Sequence, residues 1–294
     1  MAYEWDRASV PQFTVSLDEP AATRWLPVLR NAALRRRLVH LLSGSTIEDL
    51  FSDASAPPPP GFATRHEFFN ALKDNLWVQL RRLGAADIVR EIEGMAVELG
   101  VPLCELVVLH LMYEAEGGGC TSVILPRGRE EEEEDGSSST TPQTSASPVF
   151  GRVLDWDFAE LLRPLTIQVR LVKKGKLVLE MLTFAGFVGC LTGRRPGICA
   201  AAINFRRPQD GAPLPSTSPA SSAPPSPPPP SPAYPAWPAA LLVRFVLQAP
   251  GLETFDEVVQ IFSATRLWAP CYFCLSGSGP LDGVVIERET GAVG

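Results

Sequence analysis

The order of elements along the chain predicts an α+β fold built in layers. Three observations predict it. Up to residue 116 the apolar residues recur at helical spacing. After residue 119 the segments become short, β-branched or alternating, and punctuated by glycine. Two further helical runs then precede a closing pair of strands, and such segregation fits layers of helix and sheet, not a doubly wound parallel sheet.

In the helical part, EPAATRWLPVLRNAALRRRLVHLL brings Trp25, Leu26, Leu29, Ala33, Leu38 and Leu41 near one face. Thr64 followed by Glu67 reads as a capping box for RHEFFNALKDNLWVQLRRLG. DIVREIEGMAVELG carries Ile88, Ile92, Met95 and Leu99 on one side and ends at Gly100, a C-cap. PLCELVVLHLMYEAE starts with Pro102 in a first-turn position. In the second part CTSVIL, VFGRVLDWDF, LTIQVRLVKKGKLVLEMLTF, VGCLTG and GICAAAINF read as strands, with VKKGKL as a hairpin turn. PAALLVRFVLQA and TFDEVVQIFSAT read as helices, and APCYFCLSG and GVVIER as a hairpin joined at SGPLD. Three segments are low in complexity: 54–61 and 208–235 are proline-rich, and 127–148 is acidic and then rich in Ser and Thr. They carry too few apolar groups to offset chain entropy and are expected to be disordered or extended. The remainder is long enough for one large core.

The chain has 294 residues, is 45% hydrophobic and has a net charge of -7. The consecutive Glu130 to Asp135 supply most of that charge, so no basic surface argues for nucleic acid. No apolar run approaches the ~18 to 20 residues of a membrane span. The opening MAYEWDRASVPQ lacks the basic-then-apolar pattern of a signal peptide. Six cysteines, at 104, 120, 190, 199, 271 and 274, do not make a disulfide framework. Cys271 and Cys274 form a C-x-x-C inside a strand-like run without a second pair, and are read as core.

Cys120, behind Gly117, Gly118 and Gly119 at the start of a strand, admits three readings: a buried core thiol, a metal ligand or a nucleophile. No His or Cys lies at ligand spacing from it, which weighs against a metal. A nucleophilic thiol needs a base. His40 and His110 sit in apolar helical runs and His66 at a helix start, and none pairs with it in sequence. A base is available without histidine if the bond before Cys120 is cut, because the freed α-amine titrates at ~7.7 to 8.0 beside its own thiol. Three glycines would let the chain contort for that cut.

VPQFTVSLDEPAATRW at 10, CTSVI at 120, GRVLDWDF at 151, LTFAGFVGCLTGRRPG at 182 and APCYFCLSGSGPLDGVVIER at 269 resemble the acid ceramidase and N-acylethanolamine acid amidase family of N-terminal-nucleophile hydrolases. The resemblance implies self-cleavage between Gly119 and Cys120. It implies a helical α-subunit region, 1–119, packed on a β-subunit, 120–294, with an αββα sandwich. It assigns Cys120 as nucleophile, its freed amine as base, Arg152 as the cation beside the thiolate, and Asp155 as the group that holds the α-ammonium. Three residues apart on a strand face opposite ways, so a bend or strand end is expected between Arg152 and Asp155. The implied substrates are amides of long-chain fatty acids, ceramide ahead of N-acylethanolamine, with no cofactor and no metal. A membrane surface or a lipid-presenting protein would supply the substrate, in a lysosome-like or vacuolar compartment. FAGFVG and WPAALLVRFVLQ are candidate walls of an acyl groove. The chain departs from the pattern at Phe205, where the family carries an acid, and at Val153, where it carries Asn. It is read as C-terminally truncated, without the TNYD-like segment whose Asn contributes to the family's oxyanion hole. A catalytically dead lipid-binding remnant is the alternative of another class.

Overall fold

A computed structural model describes residues 10–43, 63–115, 119–126, 147–156, 159–206 and 235–290. The three low-complexity segments, except at their margins, and Gly117 and Gly118 lie outside the described residues.

In chain order the elements are β1 (Gln12–Ser16), α1 (Leu26–Leu29), α2 (Ala32–Leu42), α3 (Arg65–Arg82), α4 (Ala86–Leu99), α5 (Leu103–Ala115), β2 (Gly119–Leu125) and β3 (Val149–Asp155). There follow α6 (Ala159–Leu162), a 3-10 turn (Arg163–Leu165), β4 (Thr166–Lys173), β5 (Lys176–Phe184), β6 (Thr192–Arg195), β7 (Cys199–Phe205), α7 (Ala239–Gln248), α8 (Phe255–Ala264), β8 (Cys271–Gly277) and β9 (Gly283–Arg288).

Seven strands form one sheet in the order β1-β4-β5-β6-β7-β8-β9, and β2 and β3 form a separate ribbon. All neighbours in the large sheet are antiparallel except β1, which runs parallel to β4 with Gln12 opposite Gln168. The helical expectation for the front of the chain therefore fails at Gln12–Ser16. This is a strand, and it extends a sheet otherwise made entirely of residues after Cys120. The long helical run 19–42 is also interrupted. The Asn31 side chain accepts a hydrogen bond from the Leu34 N–H and starts α2 afresh, because a side-chain cap satisfies a donor that a continuous helix would bond internally.

Other local signals hold. Thr64 caps α3 by accepting from the Glu67 N–H, although Glu67 reaches back to the Ala63 N–H and not to that of Thr64. Gly100 closes α4 at φ 70°. Lys174 and Gly175, both at positive φ, make the β4–β5 turn. A full capping box at Thr254 and Glu257 starts α8.

The helix α5 has no polar stripe, and it is buried on all sides from Leu106 to Tyr113. It packs against α3 and α4 and touches α7. The helices α7 and α8 lie against the large sheet, α7 over β5, β6 and β7 and α8 over β8 and β9, while the ribbon packs through β2 on β7 and β8. The described layers are thus helix, sheet and ribbon. The outward side of the ribbon carries Val123, Leu125, Val149 and Val153, each about half exposed. A second helical layer over it, which an αββα sandwich would need, is not found among the described residues.

Gly94 sits in mid-α4, where glycine costs about 1 kcal/mol relative to alanine on propensity. A Cβ there would meet the Ala22 carbonyl oxygen at 1.9 Å, a contact with backbone that cannot rotate away. We expect Gly94→Ala to destabilise, by about 1 to 3 kcal/mol in denaturant unfolding, because overpacking against main chain outweighs the propensity gain. An unchanged or raised midpoint would show that the loop at Ala22 yields freely.

Candidate active site

The ribbon alternates strictly. Cys120, Ser122 and Ile124 on β2, and Phe150, Arg152 and Leu154 on β3, turn toward the large sheet, and the odd-numbered residues are exposed. The register pairs Gly119 with Asp155, Cys120 with Leu154 and Ser122 with Arg152. Cys120 and Arg152 are therefore diagonal neighbours on one face, a separation that a long side chain spans. Arg152 Nη2 lies 3.2 Å from Cys120 Sγ and donates to the Ile203 carbonyl oxygen at 2.9 Å. The second bond anchors the guanidinium to β7 and holds it against the sulfur. Ser122 Oγ, two residues on from Cys120, donates to Asn204 Oδ1 at 2.8 Å and ties the ribbon to the same strand.

The six thiols are not equivalent. Cys104, Cys190, Cys199, Cys271 and Cys274 are buried, and Cys120 is half-buried. Burial pushes the Cys190 thiol up to about 12 and that of Cys199 up to about 11, and it raises those of Cys104, Cys271 and Cys274. Such thiols are poor nucleophiles at any ordinary pH. Cys120 is the one that combines partial access with a cation in contact.

Asp155 does not share that face. β3 runs without a bend to Asp155, which points outward at its last position, opposite Gly119. The strand end is present and the turn inward is not. Asp155 pairs with Gly119 on the face of the ribbon opposite to the thiol.

Histidine contributes nothing to this site. His110 is fully buried, with Nδ1 2.7 Å from the Leu106 carbonyl oxygen and Nε2 3.0 Å from the Val188 N–H, which it accepts. The ring is therefore a neutral imidazole that donates from Nδ1, stacked on Phe187. His66 lies 3.8 Å from Cys104, a Cys–His pair not foreseen in the sequence, but burial and Glu105 hold that thiol up. The proposed groove segments are also core. Phe184, Ala185, Phe187 and Val188 are buried, as are Leu241, Leu242 and Val243 of α7.

Sequence reading missed the residues that close the site from the helical side. Tyr113, in the last turn of α5, packs against Trp156 and sets its edge on Phe205, with ring centroids 6.0 and 6.3 Å apart. Phe205 thus fills with an aromatic ring the place where the resemblance leads one to look for an acid. Glu114 accepts the Ala239 N–H at the start of α7 through Oε1, and burial raises its carboxyl to about 7. The only sequence signal for these two was a polar Tyr-Glu pair at the end of a mostly apolar helix.

No group of three or more His, Cys, Asp or Glu that could hold a metal occurs among the described residues. No helix among them is long and apolar enough to cross a membrane.

No protein-family model matches the chain. An N-acylethanolamine-hydrolyzing acid amidase of Caenorhabditis elegans is 28% identical over 94% of this chain and 67% of its own length. The acid ceramidase of Rattus norvegicus is 27% identical over 96% of this chain and 64% of its own. That of Homo sapiens is 24% identical with the same coverage. A solved structure of the Caenorhabditis elegans amidase aligns over 58% of this chain and 59% of its own, at 26% identity and a TM-score of 0.39. Over nearly its whole length the chain is thus similar in sequence to curated acid ceramidases and N-acylethanolamine-hydrolyzing acid amidases. It spans about two thirds of the length of the curated relatives it matches.

Proposed function

We propose that this chain is a self-cleaving cysteine amidase that hydrolyses the amide bond of N-acylated lipids. The observation that carries the reading is the contact of Arg152 with Cys120 Sγ, diagonal across a ribbon whose first residue is Gly119. The names of relatives aligned over 94 to 96% of the chain support its amidase part.

In the first reaction Cys120 Sγ adds to the Gly119 carbonyl carbon. The C–N bond breaks, its nitrogen takes up a proton and becomes the α-amine of Cys120, and Gly119 is left as a thioester. Water cleaves that thioester to a Gly119 carboxylate and a free thiol. In the second reaction the same thiol attacks a fatty amide, with the new α-amine as base. The amine of the substrate leaves protonated, and water releases the fatty acid. Arg152 supplies positive charge to the sulfur in both reactions. Asp155, opposite Gly119, would face the new ammonium once Gly119 has departed. Residues 1–119 and 120–294 would remain together as two subunits, because β1, α4 and α5 are built into the core of the second part. Ceramide is the first substrate to try and N-acylethanolamine the second. The reading places the enzyme in an acidic, lysosome-like compartment and draws its lipid from a membrane surface or a lipid-presenting protein. No cofactor takes part in this chemistry.

The test is a denaturing gel of the purified chain after incubation across acidic pH. We expect two fragments that part at Gly119/Cys120, and one intact band for Cys120→Ala. An intact band for the unaltered chain at every pH overturns the reading and favours a lipid-binding remnant. Fluorogenic amides of both head-group classes, assayed on the cut protein, decide the substrate.

A further inference from the structure

Buried polar atoms without a partner are few in native proteins, and each calls for an explanation. Among the described residues five such side-chain atoms occur: Arg24 Nε, Tyr113 Oη, Glu114 Oε2, Arg152 Nε and Trp156 Nε1. Four of them belong to residues that flank the Gly119–Cys120 bond. Tyr113 and Glu114 end the helix that runs into it, Arg152 touches Cys120, and Trp156 follows Asp155, the cross-strand partner of Gly119.

Tyr113 is the most informative of the four. Its side chain is completely buried, yet its hydroxyl meets no acceptor. Its ring is wedged between Trp156 and Phe205, so rotation cannot bring the oxygen to water. Burial, followed by the neighbouring Cys271 and Cys120 thiols, raises the phenol well above its ordinary value, so it remains an O–H donor throughout the accessible pH range. The two rings that hold it flank the nucleophile: Trp156 follows the cross-strand partner of Gly119, and Phe205 ends the strand β7 to which Arg152 and Ser122 are bonded. A dry, unpaired donor in such a place is suited to a developing oxyanion.

We propose that the Tyr113 hydroxyl is an oxyanion donor of this site: it hydrogen-bonds the carbonyl oxygen attacked by Cys120, that of Gly119 during self-cleavage and that of the fatty amide afterwards. The inference rests on the reading of Cys120 as nucleophile given above. The hydroxyl moves no proton. It is neutral before and after, and its bond forms as negative charge gathers on the carbonyl oxygen, which explains why it lacks a partner in the resting chain.

Tyr113→Phe removes one oxygen and leaves the packing in place. Deleting a buried, unpaired hydroxyl should leave the thermal midpoint unchanged or raise it. The self-cleavage rate should nevertheless fall about 10² to 10³-fold, the cost of one oxyanion donor. A purely structural tyrosine would give the opposite pattern, a lowered midpoint with a rate that follows the folded fraction. Self-cleavage of Tyr113→Phe at the unaltered chain's rate, or a clearly lowered midpoint, overturns this inference and leaves the amidase reading intact. An unaltered chain that never cuts overturns both. Variant protein that has cut on long incubation then supplies the second arm. A lower kcat at constant KM on a fatty amide shows that the donor serves substrate as well, and an unchanged kcat confines it to the Gly119 carbonyl.

Discussion

Replacing Glu91 by alanine is expected to cost about 3 to 5 kcal/mol of folding stability, the range for removing one partner of a buried ion pair. Glu91 is fully buried, and both its oxygens are engaged. Oε1 lies 3.1 Å from Arg24 Nη1 and 2.6 Å from Arg244 Nη2; Oε2 lies 2.5 Å from Arg244 Nη1 and accepts the Trp25 indole N–H at 2.8 Å. Arg244 has no exposure at all, and its other contacts are the Val188 carbonyl oxygen, Gln248 and the face of Trp25. Without the carboxylate its charge stays buried and uncompensated. Against the 5 to 15 kcal/mol of a whole domain this is a large fraction. The cluster also joins the two parts of the chain, since Arg24, Trp25 and Glu91 precede Gly119 whereas Val188 and Arg244 follow it. Urea unfolding in a Cys120→Ala background keeps the chain in one piece. The double variant Glu91→Leu, Arg244→Met should recover much of the loss, because it removes the stranded charge along with its partner. A loss below about 1 kcal/mol for Glu91→Ala would show that water reaches Arg244.

Local chemistry was legible where it acts over a few residues. The Thr64 cap, the Gly100 stop, the Lys174-Gly175 turn and the α5 run followed from spacing and residue type, because each is satisfied within one turn of chain. β1 was not legible. QFTVS is five residues long with Val15 its one buried member, so its strand conformation comes from pairing with β4, about 150 residues away. The same limit applies to the site. Cys120 could be singled out by what precedes it in sequence, but its contact with Arg152 depends on a ribbon register set across the segment 126–148. Asp155 illustrates the converse. Strand alternation argued against its sharing a face with Arg152, and the ribbon keeps that alternation to its end. Nothing in the letters distinguished Tyr113 from an ordinary core tyrosine, because an unpaired hydroxyl is a property of its neighbours.

Stability should be nearly flat between about pH 4.5 and 6.5 in the intact chain and should slope in Glu114→Gln. Two buried groups titrate there with opposite effect. Burial raises the Glu114 carboxyl from 4.5 to about 7, so between those values the folded chain holds a proton that the unfolded chain has lost, and stability falls as pH rises. Burial lowers the His110 imidazole from 6.5 to about 4, against the Leu106 carbonyl and with Arg244 contributing in the same direction as burial. Between about 4 and 6.5 the unfolded chain holds the proton that the folded one refuses, and stability rises with pH. Each shift corresponds to roughly 3 kcal/mol at 1.36 kcal/mol per pH unit, and the two cancel where they overlap. Glu114→Gln retains an acceptor for the Ala239 N–H and removes the titration. The variant should then lose about 3 kcal/mol as pH falls from 6.5 to 4, measured by urea unfolding in the Cys120→Ala background. The compensation by Glu114 is what would let a chain with a neutral histidine at its centre remain folded in acid. A Glu114→Gln profile that stays level over this range would show that the folded chain takes up the His110 proton as readily as the unfolded one, and an intact chain that slopes like the variant would show that the Glu114 carboxyl is already ionised in the native state.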